Sequence, residues 1–177
     1  MNSSRATKSI LAGWSWPHGS NDNEGRVNAD GNGRPLAAAL TIAAVAWLAL
    51  IVGAPTAAGG RMPFMAALAY QMGSRICHQR PERSFHIAGT QMPVCARCFG
   101  LYAGGASGLA LAWAFRRRWS SRVVKSSLFV AAVPIALTVG LEWLDVIATS
   151  NILRWFTGVP LGLVAGFAIV GLLRSPD

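Results

Sequence analysis

The chain has 177 residues, 53% of them hydrophobic and 13% charged, with a net charge of +9. Its apolar residues gather into long runs parted by short charged segments, the pattern of a chain solvated by lipid, so a soluble domain is excluded. In a soluble protein the basic balance would point to nucleic acid. Here Arg116, Arg117, Arg118, Arg122 and Lys125 directly follow an apolar run, where basic residues fix orientation and meet anionic headgroups, and no nucleic-acid partner is expected.

Residues 1–34 are rich in Asn, Gly, Ser and Asp and carry no helical or strand period. The stretch 19–33 has too little apolar surface to offset its ordering entropy, so a disordered cytoplasmic tail is expected ahead of a membrane domain over 35–177. The first span is expected at 36–54, an uncharged run closed by Pro55 and the Gly59-Gly60 pair and near the roughly 20 residues that cross a bilayer. A polar cap follows over 61–93. Within it, residues 63–74 read as a short helix with Phe64, Leu68 and Tyr70 available to lie against the bilayer.

Further spans are expected at 94–115, 127–149 and 157–173, the third carrying Pro134, Glu142 and Asp145. The expected fold is therefore an all-α, polytopic membrane protein of about four transmembrane helices with a short extracytoplasmic Cys/His/Arg cap. Orientation follows from the basic residues. The tail, the loop after the second span and Arg174 hold ten Lys and Arg, against six on the other side, which favours a multi-pass cell-membrane protein with both termini in the cytoplasm. Gly100, Gly104 and Gly108, and likewise Gly158, Gly162 and Gly166, recur every fourth residue. Such stripes let helices approach closely within lipid, either in one chain or in a homo-oligomer.

The chemistry-bearing residues converge. The segment ICHQRPERSFHIAGTQMPVCARCFGLY begins at Ile76, and LEWLDVIATSNILRWFTG begins at Leu141; short antiparallel spans bring both to one membrane face. Cys95 and Cys98 form a Cys-x-x-Cys pair that can place two sulfurs on one metal, with Cys77 and either His78 or His86 completing a tetrahedral zinc site. His86 lies nearby in sequence. Cys77 and His78, being adjacent, point in different directions on any regular backbone. The same pair can be read as a redox dithiol, its thiolate favoured by Arg97, or as a plain structural disulfide.

Arg83, Arg97 and Arg154, with Arg80, could form a fork for phosphate or carboxylate at headgroup level, or snorkel to lipid without specificity. Glu142 and Asp145, three apart, would share one face of the third span. There they would pair with arginine, accept protons or bind a hard metal.

At CHQRPERSF, PVCARCFGLY and the later Asp145, Asn151, Arg154, Thr157 and Gly158, the sequence resembles a prokaryotic membrane family, domain of unknown function 2085. The resemblance extends over about residues 70–166 and implies a small helical membrane domain without implying an activity. It treats these residues as one site and gives His78 more weight than His86. The leading expectation is a site with zinc as cofactor on Cys77 or His78, Cys95 and Cys98, structural or catalytic. In it Arg83, Arg97, Asp145 and Arg154 would orient or neutralise the surroundings, and Glu142 is a further catalytic candidate. The alternatives are a membrane thiol-disulfide oxidoreductase using Cys95 and Cys98, and a protein binding a lipid phosphate or other anion through Arg83, Arg97 and Arg154.

Overall fold

The computed structural model describes the backbone of residues 22–174 except 59, 61 and 116–118, with side chains from residue 33 onward. The chain divides into Met1–Asn32 and Gly33–Asp177. Residues 1–21 of the expected tail, Arg61, and the Arg116 to Arg118 cluster lie outside the described residues.

Among the described residues, five helices and a small hairpin follow in order: α1 (Asp22–Ala58), α2 (Pro63–Ile76), a single 3-10 turn (Pro81–Arg83), β1 (His86–Ile87), β2 (Thr90–Gln91), α3 (Ala96–Ala114), α4 (Ser121–Trp143) and α5 (Asn151–Leu173). The first helix starts at Asp22, upstream of the expected first span, and its apolar part is Gly33–Ala58. That part, α4 and α5 are long and apolar enough to cross a membrane. At about 1.5 Å per residue α3 is also nearly as long as a bilayer core is thick. Its glycines and Arg97 dilute its aliphatic content, and it is not among the three.

Two expected spans begin about six residues earlier than expected, and the third also ends about six residues earlier. The third runs Ser121–Trp143 because Ser120 caps it, its Oγ accepting from the Val123 amide at 3.4 Å. It ends in a Schellman-type turn, where Val146 N donates to Leu141 O and Asp145 N to Glu142 O, with Asp145 left-handed at φ 52°. Asp145 therefore stands beyond the helix and does not share a helical face with Glu142. The fourth starts at Asn151, capped by Ser150 through the Leu153 amide at 3.2 Å. Arg154 consequently projects from a helix rather than a loop.

The core of the fold is the pair α3 and α5, which lie parallel. A Cβ on Gly100 would stand 2.2 Å from Trp155 O, on Gly104 2.2 Å from Val159 O, and on Gly108 2.1 Å from Leu163 O. From the other helix, Cβ atoms on Gly158, Gly162 and Gly166 would meet Arg97 O, Leu101 O and Gly105 O at 2.5, 2.1 and 2.3 Å. The two glycine stripes thus face each other within one chain. α1 runs antiparallel on α3: Ala37 packs with Leu109 and Ala112 at one end, and Ile51 with Cys98 and Tyr102 at the other. Exposed Phe129, Val130 and Leu137 on α4 present apolar surface outward, as suits lipid.

The cap is held by amides. Gln79, left-handed at φ 47°, donates from Nε2 to Tyr70 O at 2.9 Å and Pro93 O at 2.7 Å. Its own carbonyl accepts from Gln91 Nε2 at 2.5 Å, and the Tyr70 hydroxyl donates to Gln91 O. Tyr70 thus turns inward rather than towards a bilayer, whereas Phe64 and Leu68 remain exposed. Burial raises the Tyr70 pKa above the ordinary phenol value.

Candidate metal centre and arginine cluster

Cys77 ends α2, Cys95 caps α3, and Cys98 lies in the first turn of α3. Gln79 ties the segment after α2 to Pro93, and Gly73 lets α2 approach the Pro93 backbone closely, so Cys77 is carried onto the helix start. All three thiols are free and partly buried, and their sulfurs lie within 4.8 Å of one another. Tetrahedral zinc with sulfur at about 2.3 Å requires sulfur separations of about 3.8 Å, so side-chain adjustments of about 1 Å suffice to close the set.

The Cys77 thiol is held far below an ordinary thiol pKa, chiefly by hydrogen bonds from the Cys95 and Cys98 side chains. Burial opposes this, while the backbone amides of Gln79 and Cys95 add to it. The Cys95 amide lies 3.2 Å from Cys77 Sγ. A group in this state is a ready metal ligand or nucleophile at neutral pH. Ile51, Met92 and Val94 floor the cluster with apolar contact.

His78 and His86 are exposed, and neither belongs to the sulfur group. Cys77, and not the adjacent His78, lies with Cys95 and Cys98.

Arg97, one residue before Cys98, projects about 100° around the helix from it and serves a different cluster. Glu142 Oε1 accepts from Arg97 Nη2 at 3.3 Å and from Arg154 Nε at 3.1 Å. The carboxylate side chain is 6% exposed, and the guanidinium side chains are 19% and 11%. Arg154 Nη1 also donates to Asn151 Oδ1 at 3.0 Å and, at 3.5 Å, to Glu82 O, while Asn151 Nδ2 reaches Ser84 O at 3.1 Å. These bonds join the cap, α4 and α5 on one face, as the convergence of the two segments predicts. Arg97 Nε is buried with no hydrogen-bond partner among the described residues, which for a charged donor is costly by more than about 1 kcal/mol.

Arg83 in the 3-10 turn makes only a backbone bond to Arg80 among the described residues, so the arginines that meet are Arg97 and Arg154. Asp145 is exposed and does not join them. Gln79 and Asn151, which position both clusters, are legible in the sequence only as polar residues inside the matched motifs.

Three apolar helices, a parallel pair interlocked through glycine, and a thiol cluster at its end define a helical membrane protein whose three cysteines could hold a metal ion. The chain belongs to the family of predicted membrane proteins termed DUF2085, which matches residues 77–168, more than half of it. It is similar to an uncharacterised protein of Methanocaldococcus jannaschii, 35% identical over 109 residues that cover 60% of this chain and 67% of the relative. An uncharacterised protein of Methanothermobacter thermautotrophicus is 30% identical over 95 residues, 54% of this chain and 83% of that one. No solved structure matches the chain. The matched stretch takes in all three cysteines, Arg97, Glu142 and Arg154, and leaves α1 outside it.

Proposed function

We propose that this is a four-span membrane protein built around a zinc centre on Cys77, Cys95 and Cys98, which fastens the cap to α3. The observation that carries this reading is the mutual approach of three thiols from two separate segments, their sulfurs within 4.8 Å of one another. Three protein sulfurs leave one coordination position for solvent or a substrate atom. In that position zinc would polarise a phosphate or carbonyl oxygen.

Metal analysis by mass spectrometry of protein purified in mild detergent without chelator, with a free-thiol count, tests the centre. About one zinc per chain is expected, lost in Cys77→Ser, Cys95→Ser and Cys98→Ser and retained in His78→Ala. Absence of metal, with two of three thiols oxidised, would replace the zinc reading with a dithiol–disulfide couple or a structural bridge.

α3 completes the four spans, beside the three long apolar helices. Its parallel, glycine-interlocked packing along α5 supports placing both in the same layer. The charge bias favours both termini in the cytoplasm and the cap outside it. Reporter fusions after Arg118 and after Asp177 should both register as cytoplasmic; an extracytoplasmic signal at either would reverse or break the topology.

A further inference from the structure

The arginine cluster stands apart from the three sulfurs of the proposed zinc centre, and its charges do not balance. Two guanidiniums share one oxygen of one buried carboxylate, leaving one positive charge in excess. The donors are not exhausted either. Arg97 Nε is buried and unpaired, and neither Arg97 Nη1 nor Arg154 Nη2 has a hydrogen-bond partner among the described residues.

The backbone adds to the same sign. Arg97 lies in the first turn of α3 and Arg154 in the first turn of α5, and the two helices start side by side because Gly158 sits against Arg97 O. Two positive helix ends therefore meet at this face against the single negative end of α4, which carries Glu142. Guanidinium forks of this kind match tetrahedral oxyanions, and the partial burial limits screening by salt.

We infer that Arg97 and Arg154 bind a phosphate oxyanion, with Glu142 holding the two forks in place and setting the net charge of the site. The site is distinct from the thiol cluster, which projects from another side of α3, and does not require metal. Phosphate of this chemistry is available from two sources: a lipid headgroup, or a free phosphate in the adjoining aqueous phase.

The full chain in a maltoside detergent, which contributes no phosphate, separates the two. Inorganic phosphate is titrated by calorimetry in one arm. In the other, phosphatidylglycerol is added and lipid retained on the protein is counted by native mass spectrometry. Arg154→Gln should weaken binding by about ten- to a hundredfold, the loss expected for charge-assisted hydrogen bonds. Glu142→Gln, which raises the excess charge, should tighten it.

Arg75→Gln, on the exposed side of α2, should leave binding unchanged. Helical circular dichroism reports folding in each case, and Arg97→Lys, which keeps the charge but removes the fork, replaces any variant that does not fold and should also weaken binding. Saturable binding of inorganic phosphate with this pattern identifies a free-phosphate site. The same pattern confined to the lipid arm identifies a headgroup site. Absence of binding in both arms, or binding indifferent to Arg154, Arg97 and Glu142, overturns the inference.

Discussion

Gly104→Leu is expected to part α3 from α5 and to lower unfolding stability in detergent by about 3 kcal/mol, the upper end of the cost of overpacking. A Cβ at this position would stand 2.2 Å from Val159 O and 3.0 Å from Leu163 N, so the obstacle is backbone that cannot rotate away. Between helices in lipid there is no hydrophobic drive to offset the lost approach, and packing itself is the main attraction. Gly105 supplies the control on the same helix. Its nearest atom would be Gly162 O at 3.9 Å, an ordinary contact, and Gly105→Ala should be neutral or gain up to about 1 kcal/mol of helix propensity. Thermal unfolding followed by circular dichroism reads both; equal stability of the two variants would show that the helices do not interlock as described.

The glycines also mark what can be read without a structure. A period of four in two apolar runs identifies close-packing faces, because only a missing side chain permits backbone contact. That the faces meet each other requires knowing that α3 and α5 are parallel and in register, which depends on the length of α4 and its two turns. Those boundaries were the least legible part. Ser120 and Ser150 cap their helices well before the apolar runs become continuous, so composition placed both starts about six residues late. The same shift explains Asp145, whose spacing from Glu142 suits a shared helical face until the chain turns left-handed at Asp145 itself.

Cysteine spacing was more informative. The Cys-x-x-Cys pair and Cys77 bring their sulfurs within 4.8 Å of one another. Arg97 misleads for a simple geometric reason: a residue between two cysteines in sequence points to a different side once the segment is helical, and its side chain reaches Thr138 and Glu142 on α4. Tyr70 has the amphipathic placement of a membrane-facing residue, yet its hydroxyl is drawn inward by Gln91 O, a partner on a hairpin that no apolar alternation announces.

Glu142→Ala is expected to cost about 3 kcal/mol, because it leaves two largely buried guanidiniums facing each other without their shared carboxylate. The cost is the unpaired charge rather than the lost contact, and a second substitution separates the two. In Glu142→Ala with Arg154→Met, one cation is removed together with the anion, so the pair should be less destabilised than Glu142→Ala alone. Independent ion pairs exposed to water would instead give small and additive losses, each below about 1 kcal/mol. Phosphate supplies a further discriminator, since a ligand that binds only the folded chain stabilises it in proportion to occupancy. Added phosphate should therefore restore more stability to Glu142→Ala than to wild type, and less to the double variant, where the Arg154 fork is gone and the net charge is back to the single excess of wild type. A carboxylate that both steadies two arginines and leaves them one charge short of neutral is doing structural and binding duty at the same atom.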